Sequence, residues 1–146
     1  MTIETIYNYQ YLTNKLATSG QPTEEELVCI AHSGYDIVIN LGLADTDYAV
    51  KNEALFFAEQ GINYIHIPVL FDQPEHNDFI QFTEIMERYK KQKIFIHCAA
   101  NKRVSVFIAL YRIKKLGWLE EKALIELHQI WEPNKVWQSF MKLISL

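Results

Sequence analysis

The chain has 146 residues, 49% of them hydrophobic and 22% charged, an ordinary balance for one domain built on one core. Its formal net charge of −4 argues against nucleic acid as the main partner, because phosphate backbones are bound by surplus Lys and Arg. No basic stretch followed by an apolar one opens the sequence, and no apolar run approaches the ~20 residues of a membrane helix. The expectation is a reduced, cytoplasmic protein with residues 1–146 in a single domain and no membrane contact.

In chain order, residues 1–22 read as polar-aromatic and irregular, ending in SGQP. TEEELVCIAHSG reads as a helix, with Thr23 and Glu26 spaced as a capping box and Gly34 as the stop. YDIVINLG is a β-branched run, read as a buried strand. ADTDYAVKNEALFFAEQG is read as a second helix, ending at Gly61. NYIHIPV is a strand halted at Pro68, and FDQPEHND is a polar loop. DFIQFTEIMERYKKQ is a third helix, KIFIHCA a further strand, and RVSVFIALYRIKKLG a nearly all-apolar, central helix. WLEEKALIELHQIW and NKVWQSFMKLISL form two closing helices around Pro133.

Strands alternate with helices three times. The expected fold is therefore α/β, a mostly parallel sheet of about four strands flanked by helices. Ligands of such sheets bind beyond the carboxyl ends of the strands. Cys98 and Asp72 both follow predicted strands and belong on that edge.

The chemistry concentrates in HCAANKRVS, residues 97–105. A loop that joins a strand to a helix N-terminus presents main-chain N–H groups and a helix dipole to an anion. Cysteines in such places ionise more readily than ordinary thiols. An arginine in the first helical turn can grip two oxygens of a tetrahedral anion. The chain has only three arginines, Arg88, Arg103 and Arg112, so Arg103 stands out for that task. A thiolate nucleophile inside an oxyanion cradle suits phosphoryl transfer. The plainer reading of Cys98 is a small buried core residue, with Lys102 and Arg103 solvated. Cys29, on the first helix, reads as a core residue too; sequence leaves a Cys29–Cys98 disulfide open.

The segment resembles the His-Cys-x5-Arg-Ser/Thr loop of protein tyrosine and dual-specificity phosphatases. His97, Cys98 and Ser105 match that pattern. Arg103 comes one position early, Val104 takes its place, and Asn101 stands where the family usually has glycine. Asn tolerates the left-handed conformation better than most residues. Cys-x4-Arg is the spacing of a bacterial group of non-classical dual-specificity-like phosphatases, the DUF442 type. This chain resembles that group in Ser19-Gly20-Gln21-Pro22, Val38-Ile39-Asn40-Leu41 and His66-Ile67-Pro68-Val69, in order over roughly residues 15–117.

The resemblance implies a cysteine phosphatase-like fold and hydrolysis of phosphomonoesters, on proteins or small molecules, without cofactor or metal. It implies that Cys98 attacks phosphorus, that Arg103 binds the equatorial oxygens, and that Ser105 eases departure of the thiolate. His97, Ala99, Ala100, Asn101, Lys102 and Val104 would complete the phosphate-binding loop, with His97 orienting it. Ser19, Gly20 and Gln21 would form a pocket wall. A general acid is needed upstream: Asp72 comes first, then Asp78 and Glu75, although Asp78 could instead cap the next helix and Asp72 could be a turn former.

Two rivals stand beside this reading. Rhodanese-like sulfurtransferases carry a cysteine in a shorter anion loop, and a Cys98 persulfide would replace the phosphorylated thiolate. A silent phosphate-binding module is the other. The histidines show no ligand spacing for a metal, and no glycine-rich nucleotide fingerprint is present. Oligomeric state is not legible: Trp118, Trp131 and Trp137 read as core residues, with an exposed Trp137 face as a dimer contact the alternative.

Overall fold

The structure, a computed structural model, describes residues 2–145. After a 3-10 turn at Ile3–Thr5 come β1 (Gln10–Thr13), β2 (Leu16–Ser19), α1 (Glu24–Ala31), β3 (Ile37–Asn40), α2 (Glu53–Glu59) and β4 (Asn63–His66). Then follow α3 (His76–Arg88), β5 (Ile94–His97), α4 (Lys102–Lys114), α5 (Glu120–Ile130) and α6 (Lys135–Ser145). The sheet order is β1-β2-β5-β3-β4, parallel except for the β1–β2 hairpin at one edge. The fold is the α/β class read from the alternation, with a fifth strand added.

Two strands, β1 and β2, correct the reading of residues 1–22 as irregular. β1 and β2 have four residues each, like the other strands, but QYLT and LATS carry no unbroken apolar run, and half of β1 is exposed at the edge. A second correction concerns residues 44–61, read as one helix. Only Glu53–Glu59 is helical, because Asn52 adopts a left-handed backbone (φ 62) and the Asp-Thr-Asp stretch before it has no apolar stripe. The capping box of α1 is formed as its spacing implies: the Thr23 hydroxyl accepts from the Glu26 amide at 3.2 Å, and the Glu26 carboxylate accepts from the Thr23 amide at 2.9 Å.

The pleat sorts the strand side chains between two cores. Ile37, Ile39, Ile94, Ile96 and Cys98 face the layer that holds α3, α4 and α6. Val38 and Phe95 face α1 and α2. Cys98 therefore continues the face of Ile96, while His97 continues that of Phe95, since successive side chains alternate. Helix α4 is buried at every residue from Arg103 to Arg112 and is the central helix, as its composition suggested. Register aligns Ser19, Asn40 and His97, and pairs Asn40 with His66, so four strands end on one line. Among the described residues, no helix is long and apolar enough to cross a membrane.

Candidate active site

β5 delivers Cys98 at the centre of that edge. Its amide donates to the Ser19 carbonyl at 3.4 Å, and its side chain is fully buried. The chain then turns through Ala99, Ala100 and Asn101 into α4. Asn101 supplies the left-handed residue (φ 64) that the turn demands. It is held by a reciprocal clamp: its amide nitrogen donates to the Asn8 carbonyl at 2.9 Å, and the Asn8 side chain donates to the Ala100 carbonyl at 2.9 Å. Asn101 also donates to the Thr18 hydroxyl at 3.0 Å. The amides of Lys102, Arg103 and Val104 lie in the first turn of α4, which has no partner within the helix.

The segment Ser19-Gly20-Gln21 runs beside this loop. The Gln21 amide donates to the Ala99 carbonyl at 2.9 Å, and Gly20 bridges Ala100. A Cβ on Gly20 would lie 2.7 Å from the Ala99 carbonyl oxygen, so only glycine lets the two backbones approach this closely.

Arg103 remains at the site despite its early position. It is 5% exposed, and one guanidinium nitrogen donates to the Val69 carbonyl at 2.8 Å. The other donates to the Tyr48 hydroxyl at 3.4 Å, and the group lies 5.7 Å from the Phe71 ring centroid. The Tyr48 oxygen also accepts from the Leu43 amide. Tyr48 escaped sequence reasoning because it lay in the stretch taken as helix.

Three buried side-chain polar atoms have no partner among the described residues: His97 Nδ1, Asn101 Oδ1 and Arg103 Nε. All three belong to the loop between His97 and Arg103. The other His97 nitrogen, Nε2, meets Glu53 Oε2 at 2.6 Å. Glu53 also escaped the sequence reading, since its local pattern is that of an ordinary first-turn acid.

The remaining sequence-derived candidates divide. Asp72 is exposed and follows Phe71, whose carbonyl accepts from Trp137 Nε1 at 2.7 Å. It lines a cleft of about 410 Å³ against Val136, Ser139, Phe140 and Leu143 of α6. Asp78 accepts from the Glu75 amide at 3.0 Å and so serves the start of α3; burial, then the nearby Glu75 charge, raises its carboxyl. The Ser105 hydroxyl donates to the Lys102 carbonyl at 2.9 Å and accepts from Trp131 Nε1 at 3.2 Å. No disulfide joins Cys29 to Cys98. Trp137 is fully buried, so it offers no dimer face. Among the described residues, no group of three or more His, Cys, Asp or Glu side chains is gathered for a metal.

A family model described as DSP-PTPase phosphatase fused to NAD+ kinase matches residues 6–138. The chain belongs to this phosphatase family. No curated protein sequence matches it. A DUF442 candidate phosphatase of Shewanella putrefaciens superposes with a TM-score of 0.86 at 26% identity, covering 98% of this chain and 94% of that one. Tk-PTP in its active form is similar at a TM-score of 0.79 and 19% identity, covering 94% and 95%. The core catalytic domain of the PP-IP phosphatase SIW14 of S. cerevisiae, solved with citrate, gives 0.77 at 18% identity, covering 95% and 86%. The DSP/PTP-like, DUF442-type assignment thus agrees with the motifs read in order along the sequence.

Proposed function

We propose that this family member hydrolyses phosphomonoesters through a cysteinyl-phosphate on Cys98, the 146 residues acting as one catalytic domain. The observation that carries the reading is the gathering of partnerless buried polar atoms at His97, Asn101 and Arg103. Such atoms are rare and costly in folded proteins, and they collect where a ligand completes the hydrogen bonding. An oxyanion at the head of α4 would give Arg103 Nε the acceptor it lacks.

In the proposed reaction the Cys98 thiolate attacks phosphorus, an S–P bond forms and the P–O bond to the leaving group breaks. The amides of Ala99–Val104 and the Arg103 guanidinium hold the equatorial oxygens. Asp72 gives its proton to the leaving oxygen. It then takes one from the water that attacks the intermediate and breaks the S–P bond. Ser105 would assist that second departure by turning its hydroxyl away from the Lys102 carbonyl. The SGQP segment forms one wall of the pocket. Phosphorylated proteins and small phosphate esters both fit this chemistry.

A silent phosphate-binding module is the second reading, favoured by the full burial of Cys98 and by the Arg103 contact to the Val69 carbonyl. One assay separates the two: hydrolysis of an aryl phosphate in the presence of chelator. Wild type should turn over, Cys98→Ser should lose on the order of 10³-fold or more, and Arg103→Ala roughly 10²- to 10³-fold. An inactive wild type, or an unimpaired Cys98→Ser, sinks the hydrolase reading. Phosphate titration and sulfur transfer from thiosulfate would then choose between the module and a sulfurtransferase.

A further inference from the structure

Glu53 is a charged residue with no part in the chemistry above, yet it is only 5% exposed at the start of α2. Its carboxylate touches the residue immediately before the nucleophile: Oε2 lies 2.6 Å from His97 Nε2, and His97 is fully buried. The second oxygen, Oε1, accepts from Gln21 Nε2 at 3.0 Å. One carboxylate therefore ties three separate segments: the SGQP wall, the head of α2 and the end of β5. The SGQP segment also pairs directly with the loop after His97, through the Gln21 amide on the Ala99 carbonyl and the Gly20–Ala100 bridge.

A buried ion pair is poor evidence for stability, because desolvation offsets most of its attraction. Its location at the nucleophile needs another reason. Burial would push the Glu53 carboxyl up, but hydrogen bonds from His97 and Gln21 and the charge of the ring outweigh this and hold it below its ordinary value. Burial and the Glu53 charge in turn push the Tyr64 phenol up, as expected beside a carboxylate. An ionised Glu53 can only accept, so the proton of the contact sits on His97 Nε2. Ring orientation is then set from the α2 side. Nδ1 is then the ring nitrogen left without a partner among the described residues.

We propose that Glu53 is a positioning residue: with Gln21 it locks the His97 ring and thereby holds the Cys98 loop against the SGQP wall in its anion-binding shape. The inference rests on the anion-site reading of Cys98 but does not require turnover. Its effect reaches the substrate only through His97 and the loop backbone, and a misplacement of about 1 Å can cost some 10²-fold in rate.

The test compares wild type with Glu53→Gln, which keeps the size and removes the charge, at a temperature where both are folded by circular dichroism. Three quantities are read: the His97 ring nitrogen and Nε2–H resonances, the affinity for inorganic phosphate, and kcat/KM on an aryl phosphate. The expected result is loss of a far-downfield Nε2–H resonance, about tenfold weaker phosphate binding, and a roughly 10- to 100-fold fall in kcat/KM. An unchanged resonance, or phosphate affinity and turnover both within twofold of wild type, overturns the proposal. If wild type binds phosphate but shows no turnover, the hydrolase reading fails, and phosphate affinity with the resonance still decides the role of Glu53. A wild type that binds no phosphate overturns both. Should Glu53→Gln not fold, Gln21→Ala carries the test, with a shifted His97 resonance and about threefold weaker phosphate binding expected; no change in either overturns the proposal.

Discussion

At the scale of single residues, the early arginine is the informative departure from the longer loop of the phosphatase superfamily. One residue along a helix is a rotation of about 100°, which could have sent Arg103 into solvent. It instead lies buried on the Val69 carbonyl and the Phe71 ring. The loop after β4 meets the guanidinium where the shorter spacing puts it. Asp72 sits one residue beyond Phe71, on that same loop. If it is the acid, its importance depends on how badly the leaving group needs a proton. Asp72→Asn should slow hydrolysis of phenyl phosphate by roughly 10²-fold and slow a nitrophenyl ester much less, because the nitrophenolate leaves unaided. Glu75→Gln and Asp78→Asn should stay near wild-type turnover. Equal losses on both esters for Asp72→Asn would remove Asp72 from the acid role.

At the scale of elements, most of what positions the site was readable, and the failures have physical causes. Strands β3 and β5 are buried at every residue and α4 from Arg103 to Arg112, so their apolar signal is unbroken and the Cys98 junction and its edge of the sheet followed directly. Asn101 was legible as a stand-in for glycine because side-chain tolerance of positive φ is a local property. Glu53 and Tyr48 were not legible, because each acts across the fold on a residue some 44 or 55 positions away, and nothing in its own segment marks it. The β1–β2 hairpin escaped because its strands mix polar and apolar residues, with half of β1 exposed, yet it supplies the strand that abuts β5. Its exit through Gly20 gives an element-scale prediction. Gly20→Ala would drive a methyl into the Ala99 carbonyl and the Tyr7 ring. Since carbonyl and loop are backbone, they yield only by moving the wall away from Cys98. The expected cost is roughly 1–3 kcal/mol of stability, seen as a lowered denaturant midpoint, with weakened phosphate binding at temperatures where the variant is still folded. Undiminished phosphate affinity would show that the wall does not shape the pocket.

For the molecule as a whole, the buried Glu53–His97 pair makes a statement about acid stability. The Glu53 carboxyl is held below its ordinary value of 4.5. A carboxyl depressed in the folded state adds stability that is complete above its unfolded pKa and is lost as pH falls through the folded one. Wild type should therefore lose stability in acid below about pH 4.5. Glu53→Gln should show a shallower fall over that window, measured as urea midpoints from pH 7 down to 3. Parallel curves would mean that Glu53 does not keep its charge in the fold. The architecture carries one more consequence. The Cys98 loop is held by Asn8 and Thr18 from the start of the chain, and Ser105 at its end is held by Trp131, more than a hundred residues from Asn8. Such distant pairings form late in folding. A nascent chain still emerging from the ribosome would have Cys98 synthesised long before its cradle can close. The anion site proposed at Cys98 would then take shape only once the segments that carry Asn8 and Trp131 are both in place.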